Sequence, residues 1–356
     1  MSPAEGFLKY FESCQVSKKF RFVEYFDQQF SNKSPIKYRV KYNNCKESLL
    51  LSICNSVLKN LQLNAFFQIM AKEELVDLNL YENLYQLFKE ALYKNNDENC
   101  LPKLLLYLHM SKGSFSKDAF QDFFQSIISL QLINNDYNSK FDQLKVDELK
   151  ALYLKLIKNT RVQQCSSDAI QLVNGCRPLN YDYNKLKLYF FTAAFDFISL
   201  NGYAGIDSIY ISLSELLRFN NTLSDQLNLN AKSTIVKLNF VRIVQHEITH
   251  VILRDLADDM NVSTSDVLSK NKFNLVNKEA GILAEVEHYG GRINWIKSSY
   301  LVNFNMQYCE YYLRKIEADE YEKFDRKKAG VIEYTNQINF MALDMLNEKL
   351  TFVCFE

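Results

Sequence analysis

The chain is poor in the residues that break helices or close tight turns: nine glycines and four prolines stand among 356 residues. That scarcity argues against collagen-like, glycine-rich and turn-dense all-β chains and favours long helices. Nor is there a surplus of one charge. With 42 basic and 42 acidic side chains, the basic excess from which a nucleic-acid or anionic-membrane reading would start is missing, and neither partner is expected. The eight cysteines (Cys14, Cys45, Cys54, Cys100, Cys165, Cys176, Cys309, Cys354) include no CxxC pair. They read as buried reduced thiols, which fits a cytoplasmic location. The opening MSPAEGFLKYFESCQ lacks a basic-then-apolar leader, and the longest apolar stretch, Leu188 to Leu200, is interrupted by Asp196. Neither a secretory signal nor a membrane span is expected. What remains is globular: 47% hydrophobic and 24% charged residues, enough chain for one large domain or two moderate ones.

From Ser48 to about Asn159 the apolar residues recur at helical spacing. The segments Glu82 to Tyr93, Pro102 to Met110, Ser116 to Leu132 and Val146 to Lys158 are read as helices. Residues 1–160 are thus expected to form an N-terminal all-helical region. Residues 161–185 lose the period and collect Gly175, Pro178, Asn180 and Asn184, the pattern of a linker or boundary. Residues 186–356 are expected to form a second domain with two strands, Leu186 to Leu200 and Asp207 to Leu213. A long buried helix follows over Ala231 to Leu256, then a helix over Asn277 to Tyr289 that stops at Gly290-Gly291. A short strand at Arg292 to Ile296, a charged helix around Arg314 to Lys328 and a final helix near Gln337 to Leu350 complete the pattern. The expected fold class is α+β, predominantly helical.

The residues that carry chemistry lie inside the long helix: His246-Glu247-Ile248-Thr249-His250. Histidines four apart on a helix lie one above the other, so both imidazoles can face one tetrahedral metal ion. With four histidines in the whole chain, composition makes two at this spacing around a glutamate less expected by accident. Glu247 then stands beside the metal, where its carboxylate can act as general base toward a metal-activated water. A catalytic zinc site holds three protein ligands and leaves one position open, so a third ligand must follow. Lys278 to Gly291 is the only later stretch dense in candidates. Glu279 is the first choice, because the small residues Ala280, Gly281 and Ala284 let its helix come close. Glu285 is the alternative third ligand and His288 a further one. Six positions apart, Glu279 and Glu285 point about 120° away from each other around a helix, so the one that does not bind metal is expected to orient a ligating imidazole. The competing reading of Glu279 is a carboxylate favoured at a helix N-terminus. His288, Tyr289, Arg292 and Tyr300 are the candidate oxyanion donors.

The HExxH motif on a long helix, with a strand before it and a glutamate-bearing helix after it, resembles the zincin metallopeptidases. A glutamate as third ligand would make it gluzincin-like. The run Glu279-x-Gly281-x-x-x-Glu285 closing on Gly290-Gly291 is also similar to a group of little-characterised eukaryotic, in particular fungal, metallopeptidase-like proteins. The resemblance covers about Leu186 to Ile296. It implies a zincin-like domain of a small sheet plus active-site and glutamate helices, a Zn2+ cofactor, a peptide or protein substrate and a zinc metallopeptidase activity. It further implies that the strand before the motif helix, with Ser208, Ile209, Tyr210, Ile211 and Ser212, lies alongside an extended substrate. The alternative function is a catalytically inactive zincin-like metal-binding scaffold that recruits protein partners through its helical half. A third possibility is a purely helical interaction protein in which the motif is coincidental.

Overall fold

The structure is a computed structural model that describes residues 139–175, 178, 181–193, 200–262, 279–320 and 322–333, with 99–110, 129–133 and isolated positions between 50 and 127. In chain order the elements are α1 (Cys100–Met110), β1 (Gln131–Ile133), a 3-10 turn (Ser139–Leu144), α2 (Val146–Leu156), α3 (Thr160–Asn174), β2 (Lys187–Thr192), β3 (Gly202–Ala204) and β4 (Ser208–Ser212). They continue with α4 (Leu213–Thr222), α5 (Leu229–Ala257), α6 (Ala280–Tyr289), α7 (Trp295–Ser298), α8 (Met306–Glu317) and α9 (Arg326–Ala329). The architecture is mostly helical with one small mixed sheet, an α+β arrangement. Of the expected N-terminal helices, Glu82 to Tyr93 and Ser116 to Leu132 lie largely outside the described residues, as does all of Gln337 to Leu350.

The sheet runs β1-β2-β4-β3, with β2 and β4 parallel and both outer strands antiparallel to their neighbours. Strand alternation sends Ile209 and Ile211 into the core shared with α5. It sends Tyr210 to the other face, where it stacks on Tyr203 at 4.6 Å and Tyr189 at 5.3 Å. The Tyr203 hydroxyl donates to the Pro102 carbonyl, which ties α1 to that face. Ser212 ends β4 and caps α4 by accepting from the Glu215 amide.

α5 is 29 residues long, capped by Asn228 and ended by Asp258 in the left-handed region. It is apolar on nearly every side because it is enclosed by the sheet, α3, α6 and α8. Its rotation about its own axis is fixed by a buried polar seam. Gln245 donates from Nε2 to Ser166 Oγ (2.6 Å) and to the Val162 carbonyl (3.0 Å), and Thr249 Oγ1 lies 3.1 Å from Ser166 Oγ. Breaking these bonds would leave further buried polar atoms unmet, at a cost, so α3 helps set where the adjacent residues 246 and 250 point.

Several elements differ from the sequence reading. The expected boundary stretch contains α3, capped by Asn159 and closed by Gly175 at φ 74°. Its packing face includes Arg161 and Ser166, which hides the apolar period. Gln131–Ile133 is a strand where the helical period seemed to run to Leu132. Arg292 to Ile296 keeps only a bridge from Ile293 to Glu333 before α7 begins. The charged helix starts earlier, at Met306, and ends at Glu317. One core cluster extends from Phe141 to Ala329, so α2 packs with the later elements. Among the described residues no helix is long and apolar enough to cross a membrane.

Candidate metal centre

α5 supplies two imidazoles on one face. His246 and His250 are separated by one helical turn, and their ring centroids lie 5.0 Å apart. Glu279, brought in by α6, meets both. It caps that helix with extended backbone (φ −68°, ψ 137°), and its oxygens accept from the Gly281 and Ile282 amides, each at 3.1 Å. On their other side Oε1 pairs with His250 Nε2, and Oε2 lies 3.5 Å from His246 Nε2. One ligand atom from each of the three residues lies within 4.8 Å of the others. Helix capping and membership of this cluster, which the sequence sets against each other, coincide in one carboxylate.

The two helices run antiparallel in steps of one turn. Gly281 lies against the His246 ring, Glu285 against Arg242, and Tyr289 against Leu238. A Cβ at position 281 would fall 2.6 Å from His246 Cγ and Cδ2, so the close approach requires glycine. Glu285, the alternative third ligand, is outside the cluster: its Oε1 lies 2.8 Å from His246 Nδ1, on the side of the ring away from Glu279, and accepts from Arg242 Nη1 at 3.0 Å.

The same register corrects the expected donors. His288 is fully buried beside the rings of Tyr289 and Tyr312, with neither ring nitrogen hydrogen-bonded. The Tyr289 hydroxyl donates to the Leu238 carbonyl at 2.9 Å, two turns of α5 before His246. Both are carried along α6 away from the cluster. Tyr300 donates at the surface to the Thr222 carbonyl, and the Arg292 charge helps lower the pKa of Glu285. The expected substrate strand is corrected too. Ser208, Ile209, Tyr210, Ile211 and Ser212 form the interior strand β4, buried throughout and bonded to β2 on one edge and β3 on the other. It has no edge to offer.

Glu247 faces β3: a Cβ on Gly202 would stand 3.4 Å from its Cγ. The residue is 6% exposed, and its carboxylate makes no hydrogen bond or ion pair among the described residues. Seven residues on, along the same side of α5, Arg254 donates to the Ala204 carbonyl at 2.7 Å and pins β3 to the helix. Arg242, Gly202 and Arg254 were not singled out from the sequence. Projecting α5 as a helix would have placed Arg242 one turn before His246 and Arg254 two turns after Glu247 on the same side.

The electrostatics follow from three carboxylates gathered around two imidazoles. Burial opposes charging of His246, but Glu279, Glu285 and Glu247 outweigh it and raise its pKa to about 9. Burial would lift Glu279, yet the His246 and His250 charges hold it well below the usual carboxylate range. Burial also lifts Glu247, and there it prevails over His246, His250 and Arg254. Such a site favours an added positive charge, whether a proton or a metal ion.

The donor set fits a divalent metal. Both Nε2 atoms face a shared carboxylate, His246 is braced at Nδ1, and the ligand side chains are 14–26% exposed, open on one side to solvent. No family model matches the chain, and neither the curated proteins nor the solved structures give a match.

Proposed function

We propose that the chain is a zinc-dependent peptidase in which His246, His250 and Glu279 hold the metal and Glu247 is the general base. The observation that carries this reading is the convergence of two imidazoles and one carboxylate within 4.8 Å, with the buried Glu247 at the adjoining position. Two nitrogens and one oxygen form a ligand set suited to zinc, leaving a fourth position open. Zinc there would supply a Lewis acid that polarises a scissile carbonyl and lowers the pKa of water. The chain's own residues would do the rest. Burial makes Glu247 a stronger base than an exposed carboxylate, so it accepts a proton from the attacking water and returns it to the leaving amine. Glu285 braces the His246 ring, and Glu279 joins the metal to the N-terminus of α6.

The test is cleavage of a peptide library by the wild-type chain and by Glu247→Gln, with metal content measured in both. Wild type should cleave, and the variant should keep its zinc while losing about 100-fold or more in rate. A wild type that binds zinc and cleaves nothing would instead be the metal-binding scaffold. Equal cleavage by a metal-loaded Glu247→Gln would remove Glu247 from the base role.

A further inference from the structure

We propose that Arg242 is a positioning residue for the metal centre, acting through Glu285 to fix the His246 ring. The proposal rests on the metal-site reading above. Arg242 lies one turn before His246, so both side chains leave α5 on the same face. Neither touches the other in a hydrogen bond; a residue of α6 joins them. Glu285, 2% exposed, accepts from Arg242 Nη1 at 3.0 Å and lies 2.8 Å from His246 Nδ1, both through the same oxygen, Oε1. A guanidinium only donates. An oxygen that already accepts from it is an acceptor toward the ring as well, so the proton belongs on Nδ1. That leaves Nε2, which faces the Glu279 oxygen, as the nitrogen whose lone pair becomes available to a cation bound between them. Arg242 is itself held: its Nε donates to Asn239 Oδ1 at 3.0 Å, and Asn239 is buried. Asn239, Arg242, Glu285 and His246 therefore form one chain of contacts that ends at the metal-facing nitrogen.

A plain ion pair stapling α5 to α6 would use the same contacts, and the two roles part in their effect on metal. Zinc affinity of the 356-residue chain is measured by competition with a chromophoric chelator, for wild type, Arg242→Met, Arg242→Lys, Glu285→Gln and the Arg242→Met/Glu285→Gln double variant. A positioning role predicts about tenfold weaker zinc binding for Arg242→Met. It also predicts partial rescue by Arg242→Lys, which restores a donor without the planar fork. The double variant should be no worse than Glu285→Gln alone, because Arg242 acts only through that carboxylate. Should Arg242→Met fail to fold, Arg242→Lys must still bind zinc severalfold more weakly than wild type. Affinity within twofold of wild type in the arginine variants, or losses that simply multiply in the double variant, would overturn the assignment and leave the metal site standing. A wild-type chain that binds no zinc would overturn both.

Discussion

Gly281 lies flat against the imidazole of His246, with room for a hydrogen and not for a methyl: an added Cβ would meet three ring atoms at 2.6–2.7 Å. The ring cannot yield easily, because Glu285 holds its Nδ1. Gly281→Ala is therefore expected to push α6 and Glu279 away from α5. Overpacking of this kind costs about 1–3 kcal/mol, and zinc affinity should fall about tenfold or more. Chemical denaturation with and without zinc measures both. Unchanged zinc binding by Gly281→Ala would mean that the spacing of the two helices does not control the site.

Glu279 is expected to show two separable losses. In the metal-free chain Glu279→Ala removes the α6 cap, at about 1 kcal/mol, together with the carboxylate that faces both imidazoles. With zinc added, wild type should gain thermal stability and Glu279→Ala should gain little, since binding to the folded state alone raises stability by mass action. Equal zinc-induced shifts in the two proteins would remove Glu279 from the ligand set.

The helix that carries the motif was readable from its apolar spacing, and the residues of His246 to His250 announce their own chemistry. The choice between Glu279 and Glu285 was not readable, because it depends on the antiparallel register of α6 on α5. That register is set by Gly281 opposite His246, a contact between residues 35 positions apart. β3 escaped notice because three residues beginning with glycine carry no period. α3 escaped because its buried face spends Arg161 and Ser166 on hydrogen bonds to α6 and α5 in place of apolar contact. His288 and Tyr289 read as donors because they are polar and close to Glu279 and Glu285 in sequence; helical rise takes them to the Leu238 end of α5.

The pH dependence of zinc binding has a definite sign. In the metal-free chain the raised pKa of His246, about 9 against 6.5, gives stability that is fully present below about pH 6.5 and is lost as pH rises through about 9. Zinc must displace that proton. Across the same window zinc affinity is expected to rise about tenfold per pH unit for each proton released, so the thermal shift produced by zinc should grow while the metal-free midpoint declines. Melting curves between pH 6 and 9, with chelator and with zinc, report both. A zinc-induced shift that shrinks as pH rises would contradict the assignment.

His288 predicts an opposite trend at lower pH. Burial first, and then the Arg161 charge, depress its pKa to about 3, so the folded chain holds it neutral while the unfolded chain takes up a proton near pH 6.5. Stability from this residue is present above about pH 6.5 and is lost on acidification toward about 3, at up to about 1.4 kcal/mol per pH unit. His288→Phe removes the titrating group from an aromatic setting of Tyr289 and Tyr312. The gap in unfolding free energy between wild type and variant should therefore move against wild type between pH 6.5 and 5. A constant gap would show that His288 does not titrate on unfolding.

The most direct measurement is the zinc content of the purified 356-residue chain, taken by elemental analysis beside His246→Ala and Glu279→Ala. One zinc per wild-type chain, lost or greatly reduced in both variants, is the predicted result. A wild type that retains no metal after reconstitution with zinc, or variants that hold it as firmly as wild type, would contradict a metal centre at this cluster.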